Sequence, residues 1–276
     1  MFTLNCNGRL LMIDKPLVMG IINITPDSFY EGSRFLGKDK ILAEAENMIN
    51  EGADILDIGG QSTRPGSEQI SAQIELDRVV ESIEAICKKF PETIISIDTY
   101  YSSVAKICVQ AGAGIVNDIS SGTMDKEMLS TVATLKVPYV AMHMKGTPQT
   151  MLKEANYQDV TREVLDFFIQ KKSECIKAGI KDVIIDPGFG FAKTIDHNFE
   201  LLKNLSVFKM LDAPILTGLS RKSSVYKTLG VSANEALNGT TVLNTIALMN
   251  GANILRVHDV KEAKEAIKLC EKVSRE

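Results

Sequence analysis

A (β/α)8 TIM barrel with an N-terminal β-hairpin is the α/β fold this sequence predicts, and three observations carry the expectation. Eight short β-branched runs recur at intervals of roughly 20 to 45 residues. Segments of helical period lie between them, and nearly every run ends in a residue suited to chemistry rather than packing. Strands alternating with helices imply parallel βαβ units, and eight such units in a chain of 276 residues suit a barrel. In that fold the residues at the carboxyl ends of the strands converge on one face, the usual seat of an active site.

The chain opens with residues 3–13, two apolar arms around Asn7-Gly8, a pair that favours a two-residue hairpin turn. Ahead of the first strand, this hairpin is expected to plug the amino-terminal mouth of the barrel. The first three runs, 18–22, 55–58 and 94–97, end at Asn23, at Gly59-Gly60 and at Asp98. The fourth, 114–116, leads to Asn117-Asp118, the fifth, 138–141, to Met142-His143, and the sixth, 183–185, to Asp186. The seventh, 214–217, runs into Gly218-Leu219-Ser220-Arg221-Lys222, and the eighth, 253–255, into Arg256-Val257-His258. Helical period marks 40–50, 75–90, 102–111 and 234–250, and a charged amphipathic helix over 261–276 finishes the outer ring. Two strand-to-helix connections, 23–37 and 59–71, are long and hold Pro26, Gly32, Pro65 and Gly66, the make-up of lids over an active face. No linker or low-complexity tract breaks the pattern, so residues 1–276 read as a single domain.

Composition excludes several classes. With 45% hydrophobic residues and no apolar stretch long enough to span a bilayer, no membrane role is expected. The first residues lack the basic region and apolar core of a signal peptide, which makes the cytoplasm the expected compartment. Five scattered cysteines without C-x-x-C spacing indicate neither a disulfide framework nor a zinc site. A net charge of −4 argues against nucleic acid as a general partner, because neutralising phosphates needs a basic surface.

Two kinds of group gather at the strand ends. Asp57, Asp98, Asn117 and Asp186 are carboxylates and amides that would be partly buried, and a ligand rich in N–H donors would satisfy them. Arg64, the run Ser220-Arg221-Lys222-Ser223-Ser224, and Arg256 with His258 are cationic or anion-seeking, as phosphate requires. The residues alone therefore suggest a nitrogen-rich, phosphorylated small molecule. Any single strand-end Asp could instead cap a helix or pair with a neighbouring cation. His143 lacks a supporting motif and reads as structural, and His197 sits in a connecting segment.

The runs Asn23-Ile24-Thr25-Pro26-Asp27-Ser28-Phe29, Asp57-Ile58-Gly59-Gly60-Gln61-Ser62-Thr63-Arg64-Pro65-Gly66, Asp186-Pro187-Gly188-Phe189-Gly190-Phe191, Ser220-Arg221-Lys222-Ser223 and Arg256-Val257-His258-Asp259 resemble the dihydropteroate synthase family in order and placement. The resemblance spans essentially the whole chain. It implies transfer of a dihydropterin-methyl group from its diphosphate to the amine of 4-aminobenzoate, by a dissociative, SN1-like path in which the pterin spreads positive charge. It implies that Asp98, Asn117, Asp186 and Lys222 hold the pterin, with Met142 on the apolar wall of the slot and Thr63 among the pterin diphosphate contacts. Asn23, Arg256 and His258 would take the diphosphate, with Asn23 also reaching Mg2+, the implied cofactor. The 4-aminobenzoate site would comprise Thr63, Arg64, Pro65, Phe189, Lys222 and the anchor Ser223. Catalysis would rest on Asp98, Asp186, Lys222, Arg256 and His258, and the family is typically a homodimer.

Two positions depart from the usual pattern. Tyr30-Glu31-Gly32 stands where the family often has Ser-Asp-Gly, and Gln61 where it usually has Glu. Glu31 keeps a charge on a longer arm, and Gln61 loses one. Two rival readings compete with this one: a pterin-binding barrel methyltransferase working with a corrinoid partner, which has no need of a diphosphate pocket, and a non-catalytic pterin-binding paralogue. Asn23 and the Ser220-Arg221-Lys222 and Arg256-Val257-His258 motifs weigh against the first, and the intact loop motifs against the second.

Overall fold

Asn7 and Gly8 both lie at positive φ, 54° and 87°, which is what a tight hairpin turn needs. They join β1 (Phe2–Cys6) to β2 (Arg9–Ile13) in antiparallel register, with Phe2 opposite Ile13 and Cys6 opposite Arg9. The structure, a computed structural model, describes residues 1–24, 34–64 and 66–273. Glu31, Pro65 and most of the first long connection lie outside these residues.

Eight parallel strands follow the hairpin: β3 (Leu17–Asn23), β4 (Ile55–Gly59), β5 (Ile94–Asp98), β6 (Ile115–Asp118), β7 (Tyr139–Met142), β8 (Val183–Asp186), β9 (Leu216–Thr217) and β10 (Ile254–Val257). Their order is β8-β7-β6-β5-β4-β3-β10-β9, and a parallel bridge between Ile185 and Ile215 joins the two ends into a barrel. The seventh run is shorter than expected because Pro214 has no N–H to donate. Asn253 repairs that seam: its Oδ1 accepts from Ile215 N at 2.9 Å, while its own N–H donates to Ile215 O at 2.8 Å.

The outer ring comprises α1 (Arg34–Asn50), α2 (Ala72–Lys89), α3 (Ser102–Gln110), α4 (Met128–Leu135), α5 (Val160–Ala178), α6 (Ile195–Lys203), α7 (Ser223–Leu229), α8 (Leu237–Met249) and α9 (Val260–Val273). Helix α2 begins earlier than its periodicity suggests because Ser71 caps it, its hydroxyl accepting from Ile74 N at 3.3 Å. The expected helix over 234–250 is divided into a 3-10 turn at Ala233–Glu235, closed by a Ser232–Glu235 capping box, and α8. His197 serves the chain locally by capping α6, its N–H donating to Thr194 Oγ1 at 3.1 Å and its Nδ1 accepting from Thr194 N at 3.3 Å. None of the helices among the described residues is long and apolar enough to cross a membrane.

Strand alternation sorts the interior into levels. Residues such as Val18, Leu56, Ile95, Val116 and Leu255 point outward and bury against the helices. Leu17, Met19, Ile55, Ile115, Val140, Ile184, Leu216 and Ile254 point inward at the lower end, packed against Leu4, Cys6 and Ile13 of the hairpin. The hairpin thus plugs the amino-terminal mouth, each buried aliphatic side chain contributing roughly 1.5–3 kcal/mol. Two residues beyond Ile55, Ile115, Ile184 and Ile254 on the same inward faces stand the polar Asp57, Asn117, Asp186 and Arg256.

Candidate active site

Register brings the expected residues together. Asp57 pairs with Ser96, Gly59 with Asp98, Asp98 with Asn117, and Met142 with Asp186, so their side chains share the inward face at the carboxyl ends of β4 to β8. Arg256 on β10 reaches across to join them. Its Nε donates to Asp57 Oδ2 and its Nη2 to Asp98 Oδ2, each at 2.6 Å, and Asn117 Nδ2 donates to Asp57 Oδ2 at 3.0 Å. Asp57, to which the resemblance gave no role, is fully buried and orients both Asn117 and Arg256. Its Oδ1 and the neighbouring Ser96 Oγ have no protein partner.

So many carboxylates in one low-dielectric space perturb one another. Burial pushes Asp98 up to about 7; Arg256 opposes this, and Asp57, Asp118 and Asp186 add to it. Asp186 is likewise raised by burial, against the pull of Lys222 and of the Gly188 N–H, which donates to Asp186 Oδ1 at 2.8 Å. Burial brings Lys222 down to about 8, with Asp186 holding it up. The Lys222 ammonium donates to Phe189 O and lies 4.7 Å from the Phe191 ring centroid. A flat ligand with N–H donors on one edge and acceptors on another would meet complementary groups here, and positive charge developing on it would be stabilised by the carboxylates.

The aromatic turn after β8 corrects one expectation. Phe189 is fully buried in the shell between strands and helices, so its side chain cannot wall a ligand slot. Phe191 does face the site, packing on the cluster of Tyr100, Ile119 and Met142. Gly188 and Gly190, at φ 72° and 80°, reverse the chain so that alternate aromatics point opposite ways. Beneath this turn Lys193, buried and unremarkable in sequence, donates to Gly188 O and Phe191 O at 3.0 Å and touches His143 Nδ1 at 3.0 Å. Burial holds its ammonium well below the ordinary lysine value, and His143 beside it is buried as well.

The anion-seeking group divides. His258 sits exposed at the rim, its Nδ1 3.0 Å from Ser220 Oγ. Surrounding protein atoms and then Arg256 bring it down to about 4, with Arg221 and Arg64 also lowering it, so all three cations face the same region. Arg221 is otherwise spent: it forms a bidentate pair with Asp259, at 2.9 and 2.7 Å, and donates to Ala233 O and Asn234 O, which removes it from the anion-binding candidates. Ser223 opens α7 beside Lys222, half-buried, while Thr63 is half-buried and Arg64 exposed on the second long loop. Pro65 lies outside the described residues. Asn23 ends β3, exposed, close to Asp98: a Cβ added to Gly59 would lie 3.5 Å from Asp98 Cβ and 3.8 Å from Asn23 Oδ1. Among the described residues, no cluster of three or more His, Cys, Asp or Glu side chains could hold a metal ion.

Comparison with known proteins bears directly on this mouth. The family model described as pterin binding enzyme matches residues 19–258, from the first barrel strand to the histidine after the last. The dihydropteroate synthase of Escherichia coli strain K12 is 42% identical over 266 residues, which cover 96% of this chain and 94% of that protein. The structure of Xanthomonas albilineans dihydropteroate synthase with 4-aminobenzoic acid superposes with a TM-score of 0.93 at 38% identity, covering 99% of this chain and 98% of the other. That enzyme in complex with 7,8-dihydropteroate gives 0.90 at 36% identity over the whole of both chains. A barrel whose mouth offers carboxylates and an amide to a nitrogen heterocycle, and whose whole length follows these relatives, belongs to the pterin-binding enzymes and, among them, to the dihydropteroate synthases.

Proposed function

We propose that the protein condenses (7,8-dihydropterin-6-yl)methyl diphosphate with 4-aminobenzoate to give 7,8-dihydropteroate and diphosphate, a step of folate biosynthesis, at the carboxylate-lined mouth of the barrel. The observation that carries this reading is the convergence of Asp98, Asn117 and Asp186 with Lys222 and Arg256 around one opening. Asp98, Asn117 and Asp186 accept from the N–H groups of the pterin, and Lys222 donates to a ring acceptor, each charge-assisted bond contributing about 1.5–3 kcal/mol. Met142 walls the slot. Arg256, His258 and Thr63 take the diphosphate, so Arg256 exchanges part of its hold on Asp57 and Asp98 for phosphate oxygens when substrate enters.

An arylamine is a weak nucleophile near neutral pH, so the rate comes from making the methylene electrophilic. The bond from methylene to diphosphate oxygen breaks with its electron pair leaving on the diphosphate, and the ring spreads the positive charge. Asp98 and Asp186 stabilise that cation. The amine of 4-aminobenzoate, held against Phe191 and the Lys222 stem with its carboxylate toward Ser223 and Arg64, then attacks and loses a proton.

Mg2+ fits this site in a particular way. It keeps several waters and binds through one or two protein oxygens plus substrate phosphates, and Asn23 supplies one neutral oxygen near Asp98. A metal arriving on the diphosphate therefore suits the donors better than a resident one, and it would neutralise the leaving group. In the same reading, residues 1–276 act as one domain in a cytoplasmic homodimer, with no nucleic-acid or membrane partner.

The test is diphosphate release from the pterin diphosphate, with and without 4-aminobenzoate, and identification of the organic product. Release coupled one-to-one to dihydropteroate is expected. No acceptor-dependent release, with the protein folded and Mg2+ present, would overturn the reading.

A further inference from the structure

The second long loop, residues 61–70, carries Thr63 and Arg64, and its ends and tip are tied to segments distant in sequence. At its start, the buried Gln61 donates through Nε2 to Tyr100 OH, and Gly60 O accepts from Arg78 Nη1 at 2.8 Å. At its end, Tyr101 OH donates to Ile70 O at 2.6 Å and accepts from Gln69 Nε2 at 3.0 Å. The tip rests on the loop after β7: Gly66 N donates to Pro148 O at 3.0 Å and Gln149 Nε2 to Ser67 O at 2.9 Å. Ser67 braces the loop from within, its hydroxyl donating to Ser62 O at 2.7 Å and its N–H to Arg64 O at 3.0 Å.

The two tyrosines are themselves fixed. Their rings pack with centroids 4.6 Å apart, and Tyr100 is buried against Ile119 and Met142 beside the site. Tyr101 N donates to Thr99 Oγ1 at 3.1 Å, and Thr99 is in turn held by the buried Glu75 at 2.7 Å.

We infer that Tyr100 and Tyr101 are positioning residues for the acceptor half of the reaction: they hold the second loop, and with it Thr63 and Arg64, in place. The inference rests on the proposed assignment of Thr63 and Arg64 to 4-aminobenzoate. Neither tyrosine donates to substrate; each acts through the loop backbone or through Gln61.

Tyr101→Phe removes the loop hydroxyl and keeps the ring, and Gln149→Ala removes the contact at the tip. For each, amide hydrogen exchange over residues 61–70 is measured together with KM for both substrates, kcat and Tm. Losing one docking hydrogen bond lowers the docking equilibrium constant about five-fold, so exchange over 61–70 should rise about five-fold and KM for 4-aminobenzoate measurably, by at most about five-fold. KM for the pterin diphosphate should stay within two-fold. Unchanged exchange would overturn the inference, as would faster exchange with an unchanged 4-aminobenzoate KM, or equal loss of both substrates with a lowered Tm, which marks a general structural role. Wild-type protein that makes no dihydropteroate would instead refute the functional reading, while the exchange measurement would still report whether the loop is held.

Discussion

Asp57→Asn isolates a charge. The amide keeps an oxygen for Arg256 Nε and Asn117 Nδ2, which now lie 2.6 and 3.0 Å from Asp57 Oδ2, so the geometry is retained while one buried negative charge disappears. Two carboxylates bridged by a single guanidinium stand ~6 Å apart, where like charges repel by ~3 kcal/mol at an effective dielectric of ~20. At ~1.4 kcal/mol per tenfold change in proton affinity, that is a ceiling of ~2 pH units, and relaxation around the site brings the expected effect to about one. The sign is fixed by the pairings: Asp57 helps raise Asp98, and its loss also leaves Arg256 to Asp98 alone. In the wild type, Asp98 gains its proton as pH falls through about 7, and with it loses the charge that binds pterin and stabilises the cation. The acid limb of kcat/KM for the pterin diphosphate should therefore fall near pH 7 in the wild type and about one pH unit lower in Asp57→Asn. Urea denaturation should show a stability loss of roughly 1.5–3 kcal/mol for the weakened charge-assisted bonds. An acid limb that stays put or moves upward would refute the electrostatic coupling on which this reasoning stands.

Three further outcomes are expected. Asp98→Asn and Asp186→Asn should each lose most activity, by at least about a hundred-fold, while circular dichroism and Tm report a folded barrel; near-wild-type turnover would remove that residue from the mechanism. Activity should require Mg2+, since diphosphate leaves poorly without charge neutralisation and Asn23 offers only a neutral oxygen, and undiminished turnover in excess EDTA would count against a metal role. Calorimetry should find little 4-aminobenzoate binding to the free protein and clear binding once Mg2+-diphosphate is present, because a multivalent anion held by Asn23, Arg256 and His258 offsets ordering that a small benzoate cannot; equal affinity in both conditions would show that the anion orders nothing the acceptor needs.

The barrel was legible in the sequence because its signals are local: β-branched runs, intervening helical period, and Asn7-Gly8 at a turn. The carboxylates at the mouth were legible for the same reason, since alternation along a strand fixes which side chains point inward. What pairs with what was not. Arg256 meets Asp57 and Asp98 across separations of 199 and 158 residues, and Arg221 meets Asp259 across 38, contacts that no local pattern encodes. The choice between Phe189 and Phe191 depended on backbone reversal at two glycines, which spacing alone cannot resolve. The second long loop reads as a lid in need of ordering, yet Tyr101 and Gln149 hold it across 31 and 82 residues. His197 is the opposite case: the Thr194-x-x-His197 spacing was readable, but histidine is a rare partner in a capping box.

The hairpin that seals the lower end also sets an order of assembly. Its two strands pair within the first 13 residues, so it can form within microseconds of being synthesised. Its docking surface does not exist then. That surface is built from Met19, Ile115, Ile184 and Ile254, and Asn5 N is fixed by Asp182 Oδ2 at 2.8 Å, a residue 177 positions away. A ribosome delivering the chain from its amino end thus releases the stopper first and completes the vessel last. The hairpin's inner face, Leu4, Cys6 and Ile13, must wait uncovered until the eighth strand arrives, and the fold's most local element becomes one of the last to find its place.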